Sequence, residues 1–243
     1  TGTSSFTTPS ISTNTTYYAA ARNTTTGCSS ATRVAVVATV LPVPSGVSAS
    51  VSPTAICQGA SVALSSSATS NSQTPYTMLS ESFNVANPAW TTVNNSTGGT
   101  PANAAWTIRA NNYNNGNNGA ETIVTSDASS FMFSDSDDQG NGSSTNASLI
   151  SPAFSTIGVA AANINLNHYF RFNASPDQAF VEASVDGTSW LTLQSYTSDQ
   201  GSRNAFATAT IPLTAACLNQ PVVYIRLRYV ADRGWYWAVN SVT

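Results

Sequence analysis

The 243-residue chain has no lysine and one histidine, and only 8% of its residues are charged, against about 25% in an ordinary soluble domain. Without lysine there is no P-loop, whose Lys contacts phosphate, and no Schiff-base enzyme. Lys–Asn isopeptide crosslinks are excluded as well. The eight basic residues are all Arg and lie scattered, so no basic stripe exists to hold nucleic acid. No apolar run approaches the roughly 20 residues of a helical membrane span. Three Glu and two Met leave few strong helix formers. Three Cys is an odd number, which in an extracellular protein points to a partner outside the chain or to a free thiol. The chain begins at Thr1 with neither Met nor signal peptide, and reads as an internal piece of something longer.

Ser, Thr and Asn dominate what is present, with 36, 32 and 23 copies. Hydrophobic residues reach 41%, enough to bury a core, so this is not a disordered polar tract. Short runs of β-branched and aromatic residues alternate with Asn, Gly, Ser and Pro clusters, the pattern of an all-β protein. Strands are expected over 16–22 and 32–41, then a linker at 41–46 marked by Pro42 and Pro44. A further strand falls at 61–64, and 65–76 reads as loop. From Met78 strand candidates follow closely, at 78–83, 105–110, 130–134, 147–154, 163–173, 178–186, 189–196, 205–213, 222–230 and 235–242. In 163–173, Ile164, Leu166, His168, Phe170 and Phe172 share one face. Asp186-Gly187 reads as a hairpin turn, and the Asn-rich 111–118 as a surface loop. Ten or so strands in the last 165 residues predict a two-sheet sandwich.

TTYYAAARN (15–23), GCSS (27–30) and TRVAVVATV (32–40) resemble the C-terminal half of the Ig-like modules found in tandem in Bacteroidota surface proteins. ICQGASVAL (56–64) resembles the opening of such a module. LSESF (79–83), PAW (88–90), FMFSDSD (131–137), SLISPAF (148–154), LNHYFRF (166–172), VEASVDGTSWLTL (181–193), VYIRLRYV (223–230) and WYWAVNSV (235–242) resemble the jelly-roll modules of the cleaved-adhesin and MAM-like group, as in gingipain adhesin regions. The chain departs from that group where Asp-Asp-Val reads Asn240-Ser241-Val242, and where a Glu after Phe83 reads Asn84. The resemblance implies a partial Ig-like β-sandwich followed by a jelly-roll β-sandwich: 1–44 the end of one Ig-like module, 45–77 a linker and opening strand of another, 78–243 the jelly roll. It also implies that Cys28 pairs upstream of Thr1 and Cys57 downstream of Thr243; the alternative is a local Cys28–Cys57 bridge.

Asp135, Asp137 and Asp138 crowd into SDSDDQGNG. Unpaired carboxylates so close repel, and Ca²⁺, which takes six to eight oxygens, would relieve them. The resemblance adds Glu81 and Asn240 to Asp135 and Asp137 as calcium ligands. The alternative is a solvated acidic turn; the EF-hand pattern fails for want of its Glu. Catalysis finds no constellation. His168, the one histidine, sits on an apolar face, no G-x-S-x-G elbow occurs, and Cys217 lies in a loop. Glu182 and Asp186 lie about 13 Å apart along a strand, beyond the roughly 5–10 Å of a glycosidase pair. Cys/His clusters for zinc are lacking. Sugar binding would use aromatic platforms: Trp90, Trp106, Trp190, Trp235 and Trp237 are available, with Tyr113 in the Asn-rich loop, and Trp235, Trp237 and Tyr113 are the candidates. Trp235 and Trp237 share a face opposite Tyr236, and one of these faces is exposed unless a loop covers it.

These features predict a non-catalytic segment of a large secreted cell-surface adhesin. It would attach to surface polysaccharide or to another β-module, and would self-associate through a sheet edge that no Lys guards. The resemblance extends to type 9 secretion and gliding motility. An accessory carbohydrate-binding module of a secreted hydrolase, or a stalk or filament subunit, is the alternative. A nearly uncharged polar surface predicts binding that depends weakly on salt and avoids anionic polymer.

Overall fold

β-Branched and aromatic runs become strands through both halves of the chain. The computed structural model describes residues 7–38, 40, 45–69, 77–85, 89–116 and 121–243. Residues 41–44 of the expected linker, Pro88 of the PAW motif, 70–76 of the Ser/Thr/Asn run and 117–118 of the Asn-rich loop lie outside the described residues. Two compact units divide the chain, 1–75 and 76–243.

The described residues of the first unit form two hairpins. β1 (Thr15–Ala19) pairs antiparallel with β2 (Val34–Ala38), and β3 (Ser45–Ser52) with β4 (Ala63–Thr69). β3 and the far end of β4 occupy stretches that the sequence assigned to linker and loop. In β3 serine alternates with Val and Ala, and the far end of β4 reads Ser-Ser-Ser-Ala-Thr, so small and polar residues hid both strands. Each hairpin is a two-stranded sheet, and no described side chain of this unit is buried: Val34 is 67% and Leu64 80% exposed. An isolated two-stranded hairpin is at best marginally stable in water. Cys28 and Cys57 are exposed and unbridged.

The second unit is a sandwich of two five-stranded antiparallel sheets. Its strands are β5 (Thr91–Asn94), β6 (Thr107–Arg109), β7 (Tyr113–Asn114), β8 (Thr122–Ile123), β9 (Phe131–Asp135), β10 (Thr145–Ile150), β11 (Asn163–Arg171), β12 (Gln178–Ser184), β13 (Leu191–Tyr196), β14 (Ala207–Pro212), β15 (Tyr224–Ala231) and β16 (Tyr236–Val242). The first sheet runs β13-β12-β15-β10-β5 and the second β14-β11-β16-β9-β6. From β9 to β12, and again from β14 to β16, successive strands alternate between the sheets, the winding of a jelly roll. Residues 78–83 form no strand of their own. Glu81 alone bridges to Val242, exchanging two backbone hydrogen bonds of 2.9 Å, so the two ends of the unit meet.

Period-two alternation fills the space between the sheets. Leu149, Leu166, Phe170, Val181, Leu227, Trp237 and Val239 are fully buried there. A second, smaller core lies on the outer face of the second sheet, where Phe131, Phe133, Tyr169 and Tyr236 pack with Ile123, Tyr113 and Phe206. Its roof includes the β7–β8 ribbon, so part of the segment expected to be plain loop is a paired strand. This cover explains how both Trp237 and Tyr236, on opposite faces of β16, reach full burial.

His168 is fully buried and accepts the Trp237 indole N–H at its Nδ1, 3.1 Å away, while its Nε2 has no partner. The proton therefore sits on Nε2. Burial pushes its pKa down to about 4. Below about pH 6.5 the unfolded chain takes up a proton that the folded imidazole refuses, so this group's contribution is whole above 6.5 and is lost as pH falls towards 4. The shift corresponds to about 3 kcal/mol. Burial acts oppositely on two carboxyls, raising Asp135 to about 7 and Asp177 to about 6, which favours the fold as pH drops. The His168 effect is thus expected as a difference: urea denaturation of His168→Gln against wild type should show the variant losing less stability between pH 6.5 and 4. Parallel profiles would contradict it.

Candidate functional site: the open face of the first sheet

In β15, Ile225, Leu227 and Tyr229 point into the core, so Tyr224, Arg226 and Arg228 point out. In β12 the outward residues are Phe180, Glu182 and Ser184. Register places Phe180 opposite Arg228, Glu182 opposite Arg226 and Ser184 opposite Tyr224. Directly opposed side chains share a face, and the result is a row of planar groups. The Arg226 guanidinium lies 4.2 Å from the Trp190 ring centre, and that of Arg228 4.0 Å from Phe180. Between them Glu182, 2% exposed, accepts from Arg226 Nε at 2.6 Å and from Arg228 Nε and Nη2 at 3.1 and 2.7 Å. Burial would push the Glu182 carboxyl up, but hydrogen bonds from Arg228 and Arg226 outweigh it and hold the pKa below its usual value.

Phe180, Trp190 and Tyr224 are half-buried. From Phe180 to Ser184 the row spans about 13 Å by strand rise. Tyr224 rests against the Gly187 turn. That turn is longer than the expected two residues, running from Ser184 to Leu191, because the Asp186 carboxylate accepts the backbone N–H groups of Thr188 and Ser189, each at 2.7 Å. The two buried clusters among the described residues lie between the sheets and on the outer face of the second; neither roofs this face.

The residues expected to bind calcium do not converge. Asp135 lies opposite Tyr236 on β16, whereas Glu81 lies opposite Val242, six residues or about 20 Å along the strand. Asn240 is four residues from Tyr236, about 13 Å along it. It is the extra residue of a bulge, since His168 pairs with Val239 and Asn167 with Ser241. There it meets Ser129, whose Oγ lies 2.6 Å from Asn240 Oδ1 and 2.5 Å from Asp127 Oδ1. Asp135 instead accepts the Asp138 N–H at 3.0 Å. Burial raises Asp137, against the pull of Arg233. Among the described residues no group of three or more His, Cys, Asp or Glu is placed to hold a metal ion, and Glu81, Asp135 and Asn240 stand at separate positions along β16.

The expected aromatic platform also breaks up. Trp237 is fully buried between the sheets, while Trp235 packs on the outer core with Tyr236, so the two Trp residues do not share a face. Trp235 precedes β16 and escapes its alternation. Arg171 stacks on it at 4.0 Å, and Arg171, Tyr169 and Tyr236 all engage Glu121. Glu121 thereby ties the ribbon segment down over the outer core. Tyr113 packs on Phe133, with Arg109 over its own ring at 4.7 Å. The open face was missed, although the alternation Tyr224, Arg226, Arg228 was visible in VVYIRLRYV.

These features define an all-β chain whose larger unit is a two-sheet sandwich with one aromatic and Arg-bearing face that neither buried cluster of the described residues covers. A family model described as an Ig-like domain, CHU_C associated, matches residues 1–42. No curated protein matches the chain. The K1 cleaved adhesin domain of Lys-gingipain from Porphyromonas gingivalis W83 is similar at 18% identity and TM-score 0.49, over 69% of this chain and 96% of that one. A structure of carbohydrate-binding modules from the β-sandwich superfamily is similar at 11% identity and TM-score 0.39, over 93% and 83%. TmCBM61 in complex with β-1,4-galactotriose is similar at 7% and 0.32, over 64% and 88%.

Proposed function

We propose that the chain is a non-catalytic binding segment of a large secreted surface adhesin, with gliding-related attachment and type 9 export as its setting, and that its second unit holds glycan on the open face of the first sheet. One observation carries this: Trp190, Arg226, Glu182, Arg228 and Phe180 form a preorganised row of planar groups that nothing described covers. Sugar rings stack on such groups, and sugar hydroxyls bond to the intervening polar atoms. His168, the one histidine, is sealed in the core and away from the row, which supports binding without catalysis. The first unit supports attachment to another β-module, since its Ig-like hairpins leave Val34, Val36, Val37 and Leu64 uncovered.

On a glycan array, the full chain is expected to bind a subset of polysaccharides without cleaving them. Trp190→Ala and Phe180→Ala should each weaken binding about tenfold, the loss of one good stacking contact, and Trp235→Ala should not. Binding that survives both open-face variants, or disappears with Trp235→Ala, would overturn the assignment.

A further inference from the structure

We propose that the open face selects a carboxylate-bearing glycan, a polymer of uronate residues, whose carboxylate docks on the two Nη groups of Arg226. This rests on the glycan reading and names the ligand class for the same site.

The asymmetry between the two arginines carries it. Arg228 gives both Nε and Nη2 to Glu182, whereas Arg226 gives Nε alone. Among the described residues the Nη pair of Arg226 makes no hydrogen bond, and its side chain keeps 18% of its exposure. The guanidinium is already oriented, by Trp190 on its face and by Glu182 at its Nε. A planar fork fixed in this way matches a carboxylate bidentately. Glu182 cannot neutralise both arginines, so the triad carries one net positive charge. A neutral sugar offers the Nη donors hydroxyl oxygens but leaves that charge unmatched.

The expectation of no anionic partner came from a nearly uncharged polar surface with little charge to steer by, summing to −3 over the whole chain. That sum governs approach at long range, but a single charge-assisted contact acts within a few ångströms, inside the roughly 8–10 Å over which salt screens. Selectivity for a carboxylate is therefore compatible with weak salt dependence.

The test is calorimetric titration of the full chain with oligogalacturonate and with its methyl ester, which keeps the backbone and masks the charge, and likewise with oligomannuronate and its ester. One acid is expected to bind about tenfold or more tighter than its ester, the size of a bidentate charge-assisted pair. Arg226→Gln should erase that difference, so that acid and ester bind it equally. Arg226→Lys, which keeps the charge but not the fork, should retain only part of it. Melting curves check that both variants fold; Arg228 still holds Glu182 in each. Equal affinity for acid and ester overturns the inference and leaves glycan binding standing. Failure of both acids to bind overturns the inference, and if the glycan array is also blank the glycan reading falls with it.

Discussion

Replacing Trp237 with alanine is expected to destabilise the second unit by about 4 kcal/mol, within the roughly 3–5 kcal/mol of large aromatic deletions in cores. Trp235→Ala should cost less than about 1 kcal/mol, the scale of an exposed cation–π contact. The two residues are two apart in sequence and look alike there. Trp237 is fully buried, with Trp106 edge-on at 5.4 Å and His168 and Phe170 within ring contact. Its removal leaves a cavity and also strips the His168 Nδ1 of its donor. Trp235 is half-buried under Arg171. Urea denaturation of both variants reads the difference directly, and equal losses would mean that the two share an environment.

The second large effect concerns Glu182. Glu182→Leu is expected to cost about 3 kcal/mol, because removing one member of a buried ionic group leaves the others uncompensated. The arginine side chains keep 18% and 23% exposure, which places the cost at the low end of that class. Replacing all three members together, Glu182→Leu with Arg226→Met and Arg228→Met, should recover most of the loss, since apolar groups of similar volume are often no worse than a buried ion pair. Denaturation midpoints of the single and triple variants check this. A harmless single variant would show that the carboxylate does not hold the row together.

Much of the second unit was legible in the sequence because one physical rule governs it. The alternation of Ile164, Leu166, His168 and Phe170 against Asn165, Asn167, Tyr169 and Arg171 gives both faces of β11 correctly, and the strand candidates from 105 onwards fall on observed strands. His168, placed by the alternation on the apolar face, is buried there. Where the rule lapses, so does legibility. Trp235 lies one residue outside β16, so counting by twos grouped it wrongly with Trp237. Asn240 sits in a bulge, which a count by twos cannot anticipate. The calcium set came from likeness in sequence, which does not show that the register of β16 holds Asp135 and Glu81 six residues apart along that strand. In serine-rich β3 the apolar half is only Val and Ala, and the far end of β4 has almost none, so the alternation was hard to see. The open face depends on which strands become neighbours: Glu182 and Arg226 are 44 residues apart in sequence, and only the β12–β15 pairing brings them together.

The central claim is that glycan binds the open face of the first sheet, and the five tryptophans report on it directly. Each gives one indole N–H signal in a ¹H–¹⁵N spectrum, and only Trp190 lies on the proposed surface. Titrating a glycan that binds on the array should shift the Trp190 indole signal together with the Nε–H signals of Arg226 and Arg228. The indoles of Trp90, Trp106 and Trp237, all buried, should stay in place. A shift at Trp235 with Trp190 unmoved, or shifts confined to the first unit, would contradict the account.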